Sequence, residues 1–338
     1  MMRYIVLPMG EAAGVGPELI VKALLSDERV NFGPLTVVGD RAVFNKLSRD
    51  LRLPLPFTSY VETDEELLDA LRRGEDTVFY HHQCIDMDFF EYSKADAVTG
   101  RACYECTRKA VSLIQNALAT VLVTVPLDER ALALAGYDTV RYETMVSDFA
   151  SCQRGLTMLD VNGVRIFSHT HHMRLRDALD TITYEKILDT IIKVDSLTQD
   201  RKIFNSDKPL AIATVNPHHA DSLTWDEEER EAIIPAIRSA RDIGINITGP
   251  VGADHLMHRA AKGQYRAVIA LFHDQAHIAA MSMDYERTVT VNWGWPFLAV
   301  RVDRGARLDR AGQGSMIPVS LIQALKVARQ YIEMGVES

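Results

Sequence analysis

The sequence predicts an α/β fold of two domains with an antiparallel hairpin element, and three observations carry that expectation. Short runs rich in Val, Ile and Leu alternate with helix-like segments over most of the chain. The 338 residues, 47% of them hydrophobic, are enough for two cores or one large one. Mid-chain, "LTMLDVNGVRIFSH" sets Asn162-Gly163 between two strand-like runs, and both residues tolerate the positive φ that a two-residue hairpin turn requires.

Taken in order, the runs at 4–9, 35–40, 77–81, 120–125, 210–215 and 267–272 read as central strands, because unbroken β-branched runs suit a sheet buried on both faces. After the first, "MGEAAGVGPELIVKAL" places Gly10, Gly14 and Gly16 in a strand-to-helix turn. Their spacing departs from a dinucleotide fingerprint and Pro17 suits a first helical turn, so the glycines serve either a tight turn or the lining of a ligand cleft. Thr63 with Glu66, and Thr224 with Glu227, each match a capping box that opens a helix. Cys103-x-x-Cys106 lies where apolar residues recur at helical spacing, and reads as two core-facing helix residues rather than a redox or metal pair.

Several function classes fall away. The net charge of −9, without a basic block, gives no attraction for nucleic acid. No stretch reaches the roughly 20 apolar residues of a membrane span, and the first apolar run reads as a strand rather than a signal peptide. Four cysteines are too few for a disulfide scaffold, which makes a cytoplasmic protein the simplest expectation.

Six of the eleven histidines stand at the ends of three strand-like runs: His169, His171 and His172; His218 and His219; and His273. Neutral imidazoles from three loops are a chemically apt set for a divalent ion with a position left for substrate. Asp274 would orient a ligand or approach the ion itself. Alternatively His273 and His277, four apart, share a helical face.

Five ordered motifs make the chain resemble the 4-hydroxythreonine-4-phosphate dehydrogenase family: Gly10-Glu11-x-Ala13-Gly14-x-Gly16-Pro17-Glu18, Asn216-Pro217-His218, Gly249-Pro250-x-x-Ala253-Asp254, His273-Asp274-Gln275, and Asp303 to Gly314. The resemblance spans nearly the whole chain. It implies a fold related to isocitrate and isopropylmalate dehydrogenases, with residues 1–127 plus 287–338 carrying the cofactor loop and 128–286 carrying metal ligands and a dimer interface. It implies a homodimer with the site shared across the interface, NAD as oxidant with NADP as an alternative, and a divalent metal, zinc first, on His172, His218 and His273. Asp254 and Asp274 would be catalytic; Asp303, Gly305, Leu308, Asp309 and Gly312 would bind the cofactor. The implied reaction is oxidation of a secondary alcohol, with decarboxylation to follow if the product is a 3-keto acid.

Departures from the family gather in the substrate pocket. Arg141-Tyr142-Glu143-Thr144 stands where the family commonly has Gly-His-Thr-Glu, and Met281, Thr290 and Ala299 replace a lysine, an asparagine and an arginine that grip phosphate. Methionine and alanine cannot hold a dianion. The expectation is therefore a non-phosphorylated hydroxy acid or carboxylated cis-diol. The alternatives are a 4-hydroxythreonine-4-phosphate dehydrogenase proper or a related phospho-sugar-acid dehydrogenase, or a metal-binding protein without dehydrogenase activity.

Overall fold

The computed structural model describes residues 4–137, 141–153, 155–199, 203–217 and 227–335. The chain divides into two compact units, Met1–Gly155 with Val289–Ser338, and Leu156–Thr288.

In the first unit, β1 (Ile5–Pro8), β2 (Leu35–Gly39), β3 (Ser59–Val61), β4 (Thr77–His81) and β5 (Val121–Thr124) alternate with α1 (Gly16–Leu24), α2 (Arg41–Leu51), α3 (Asp64–Arg72) and α4 (Ala97–Gln115), and α5 (Glu129–Leu134) and α6 (Tyr142–Phe149) follow. The second unit runs β6 (Leu156–Val161), β7 (Val164–Ser168), α7 (Leu175–Leu179), α8 (Tyr184–Thr198), β8 (Leu210–Ala213), α9 (Ile234–Asp242), β9 (Ile247–Val251), α10 (Ala253–Ala261), β10 (Ala267–Ala270) and α11 (His273–Met283). The chain then returns to the first unit as β11 (Val289–Trp293), β12 (Leu298–Val302) and α12 (Val319–Glu333).

Strands of the first unit are ordered β3-β4-β2-β1-β5-β12-β11, all parallel except β11, which runs antiparallel to β12. Those of the second are ordered β6-β7-β10-β8-β9, with only β6 antiparallel. Every central strand expected from an apolar run is present, and residues such as Ile5, Val37, Val123, Ile212 and Ile269 are fully buried. Each such side chain contributes about 1.5 to 3 kcal/mol of transfer free energy. The hairpin joins β6 to β7 with Asn162 at φ 50° and Gly163 at φ 80°, as a primed turn requires. The capping box at Thr63 and Glu66 is made on both sides, whereas the one at Thr224 lies outside the described residues.

Four strands were not legible as apolar runs. β3 is a three-residue edge strand, β9 carries Pro250 at the edge of the second unit's strands, and β11 and β12 set buried Thr290 and Asn292 and half-buried Arg301 among apolar neighbours. The first crossing between units follows residue 155 rather than 127. Aromatic packing accounts for this: Tyr104 of α4 stacks on Tyr137 with ring centroids 3.8 Å apart and meets Phe149 of α6 edge-on at 4.8 Å.

The glycine-rich turn after β1 is a packing device. A Cβ at Gly10, which has φ 70°, would stand 2.6 Å from the Pro126 carbonyl oxygen, and one at Gly14 would stand 2.5 Å from that of Ala306. Glu11 is buried in this turn, its Oε1 accepting from the Ala13 N–H at 3.0 Å. Burial, with nearby Asp128 and Asp96, pushes its carboxyl up to about 7.

Candidate active site

In the second unit the chain emerging from β7 and the start of α11 bring three histidines together. His172 and His273 have ring centroids 4.9 Å apart with planes tilted by 45°. His277 stacks on His273 at 3.9 Å and 15°. A ligating nitrogen points its lone pair in the ring plane, so two nearly parallel stacked rings cannot both address one ion. His172 with His273 is therefore the pair suited to share a metal, and His277 is a neighbour. Among the described residues no group of three His, Cys, Asp or Glu is placed to hold a metal ion. The third expected ligand, His218, lies outside the described residues, as does His219.

The strand ends beneath this cluster are tied by side chains. Gln275 Oε1 accepts from the backbone N–H groups of Leu271 and Phe272 at 2.9 and 3.4 Å, and its Nε2 donates to the Thr214 carbonyl at 3.0 Å. One side chain thus links the ends of β10 and β8. Buried Glu229, in a π-helical turn, accepts from the N–H groups of Val215 and Asn216 at 2.8 Å each and from Asn216 Nδ2 at 2.9 Å. This fixes the entry to the Asn216-Pro217-His218 loop. His169 is structural: its ring nitrogens meet Thr190 Oγ1 at 2.8 Å and the Thr181 carbonyl at 3.3 Å, and burial lowers its pKa.

His273 Nδ1 meets Asp274 Oδ1 at 2.8 Å. In the tautomer where Nδ1–H donates, Nε2 keeps its lone pair for a ligand. Asp254 opens α10 with an exposed carboxylate 3.8 Å from His255 Nε2. Met281 is half-buried on α11.

The remaining expected residues belong to the first unit. Arg141 is the exposed residue preceding α6, and Tyr142 is buried in its first turn. Glu143 Oε1 accepts from Arg301 Nη1 at 2.8 Å, while Arg301 Nη2 stands 3.4 Å from Asp303 Oδ1. Thr290 and Ala299 are both fully buried on β11 and β12, and the Thr290 hydroxyl is without a hydrogen-bond partner. Arg301, facing Thr290 across the ladder, was missed in the sequence because nothing in a lone strand arginine announces its partner 158 residues away.

The loop from Asp303 to Gly314 lies against the glycine-rich turn: Val15 N–H donates to the Ala306 carbonyl at 3.0 Å, and Lys22 Nζ donates to the Gly314 carbonyl at 2.7 Å. Leu308–Arg310 forms a 3-10 turn entered through Arg307 at φ 44°. Arg307 bonds Asp309 and holds its carboxylate below the usual range. Nothing crowds the position of a Cβ on Gly305, whereas Gly312 takes φ 69° and packs under Tyr92, whose ring carbon would stand 2.6 Å from a Cβ there.

Each unit is a mostly parallel α/β scaffold, and the second carries a histidine pair just beyond strand C-terminal ends, where folds of this class bind small ligands. Residues 32–328 match the family model described as "Pyridoxal phosphate biosynthetic protein PdxA", and the chain belongs to that family. A protein of Fusobacterium nucleatum provisionally named D-threonate 4-phosphate dehydrogenase is 33% identical over 331 residues, covering 98% of both chains. Among solved structures, a 4-hydroxythreonine-4-phosphate dehydrogenase from Burkholderia phymatum has a TM-score of 0.80 at 26% identity, covering 98% of both chains. A protein of Salmonella typhimurium provisionally given the same name has a TM-score of 0.82 at 28% identity, covering 97% of this chain and 99% of that one. The chain is accordingly an oxidoreductase of the dehydrogenase class. No helix among the described residues is long and apolar enough to cross a membrane.

Proposed function

We propose that the protein is a metal-dependent, NAD(P)-linked dehydrogenase of a phosphorylated four-carbon hydroxy acid of the D-threonate 4-phosphate kind. The observation that carries this reading is full-length similarity to relatives named for that activity, together with the paired rings of His172 and His273. This moves the weight away from the non-phosphorylated substrate expected from the sequence.

His172, His218 and His273 would hold the ion, with zinc the first choice for an all-imidazole set. A divalent cation there would supply Lewis acidity toward a substrate hydroxyl. Asp274 holds the proton on His273 Nδ1 and so orients the ring; Asp254 is the carboxylate proposed to take the hydroxyl proton. Asp303, Gly305, Leu308, Asp309 and Gly312 would receive the nicotinamide cofactor. Arg304 and Arg307 in the same loop keep NADP in view, since an arginine suits a 2′-phosphate. Exposed Met173, Leu175 and Ile278 in the second unit, 49, 62 and 65% accessible, support a homodimer that covers them.

The second reading, a non-phosphorylated hydroxy acid or cis-diol, is favoured by one specific observation. Met281, Thr290 and Ala299 offer no cation to a phosphate, and Arg301 is already engaged by Glu143 and Asp303. Assaying D-threonate 4-phosphate beside D-threonate and a carboxylated cis-diol, each with NAD and NADP, separates the two.

A further inference from the structure

The Cys103-x-x-Cys106 pair does not have its meaning in its own spacing. Both residues are buried on α4, and the thiol in contact with Cys106 comes from another element: Cys84 Sγ stands 3.8 Å from Cys106 Sγ. Cys84 follows β4 and is partly exposed, lining an open cavity of about 950 Å³ with Asp40, Arg41, His81, Gln83 and Asp86. Cys84 is thus the residue of the pair that borders the cavity, and Cys106 is enclosed behind it.

The contact is built. Asp40 Oδ2 accepts from the N–H groups of Cys84 and Ile85 at 2.9 Å each, while its Oδ1 caps α2 through Ala42 N–H at 2.9 Å. Cys84 is thus held by its backbone on one side, and Cys106 by a buried helix face on the other. A disulfide requires the sulfurs to close to about 2.05 Å, a side-chain movement of under 2 Å from the observed contact.

We propose that Cys84 and Cys106 form an oxidation site for small hydroperoxides, with Cys84 the peroxidatic and Cys106 the resolving sulfur. Cys84 thiolate attacks the peroxide O–O bond, giving a sulfenic acid and hydroxide. Cys106 sulfur then attacks the Cys84 sulfur, the S–O bond breaks, and the Cys106 proton leaves with the hydroxyl as water. Two thiols and one hydrogen peroxide yield one disulfide and two waters, with two electrons passing from sulfur to oxygen. The neighbouring thiol and burial push the Cys106 thiol well above its ordinary range, which leaves the first attack to Cys84.

Full-length protein is treated with limiting hydrogen peroxide, quenched with N-ethylmaleimide and mapped by peptide mass spectrometry. Wild type is expected to lose two of its four titratable thiols, give a Cys84–Cys106 linked peptide, and recover both thiols with dithiothreitol. Cys106→Ser is expected to yield no linked peptide and a dimedone adduct on Cys84; Cys84→Ser leaves Cys106 reduced. Sulfinic or sulfonic Cys84 with Cys106 free, a link to Cys103 or Cys152, or an unreacted Cys84 overturns the proposal. Should a variant fail to fold, the wild-type peptide map decides alone.

Discussion

His273 Nδ1 and Asp274 Oδ1 are 2.8 Å apart on adjacent residues at the opening of α11. The carboxylate selects the tautomer in which Nε2 carries the lone pair. Replacing Asp274 with Ala should weaken divalent-metal affinity by roughly 10- to 100-fold. Competition against a chromophoric chelator measures this, and unchanged affinity would remove Asp274 from the site's supporting structure.

Gln275 joins the ends of β10 and β8 through two accepted bonds and one donated bond. Gln275→Ala leaves two N–H groups and a carbonyl to find other partners, at a cost of about 1 to 3 kcal/mol. Urea unfolding should show the loss as a lower midpoint at constant slope.

Glu11 makes stability depend on pH. Its folded-state carboxyl keeps its proton to about pH 7, against a reference value of 4.5. Between those values the folded protein binds more protons than the unfolded chain, so stability falls as pH rises through the window. The full effect is on the order of 3 kcal/mol. Glu11→Gln should flatten the slope between pH 5 and roughly pH 8 and be the more stable protein at the upper end; a variant with the wild-type slope would assign the dependence elsewhere.

The Arg301–Glu143 ion pair is mostly shielded, with side chains 16 and 19% exposed. Glu143→Gln should destabilise the protein by about 2 kcal/mol, less than the loss for a fully buried pair because some water reaches both groups. A double-mutant cycle with Arg301→Met should return coupling energy of about 1 to 2 kcal/mol. Additive effects would show the pair to be uncoupled.

Periodicity made the central strands and the Asn162-Gly163 hairpin legible, since both depend on local pattern. β9 and β12 escaped because a proline and a half-buried arginine contradict what a strand interior normally contains. At the candidate site, His273 and Asp274 were legible as neighbours in sequence. The roles of Gln275 and Glu229 were not, because each holds a strand end by bonds that only the folded topology creates. Thr290 and Ala299 are singled out by the family resemblance alone, and neither the apolar pattern nor the spacing around them marks a substrate role.

The proposed activity rests most directly on one comparison: the rate of reduced nicotinamide formation from D-threonate 4-phosphate against that from D-threonate, with a divalent metal and either NAD or NADP. The account predicts kcat/KM of at least about 10⁴ per molar per second for the phosphate ester, and a clearly lower value without the phosphate, because binding energy from a non-reacting group is spent on the transition state. Efficient turnover of D-threonate or a cis-diol, with none of the phosphate ester under any metal, would contradict it.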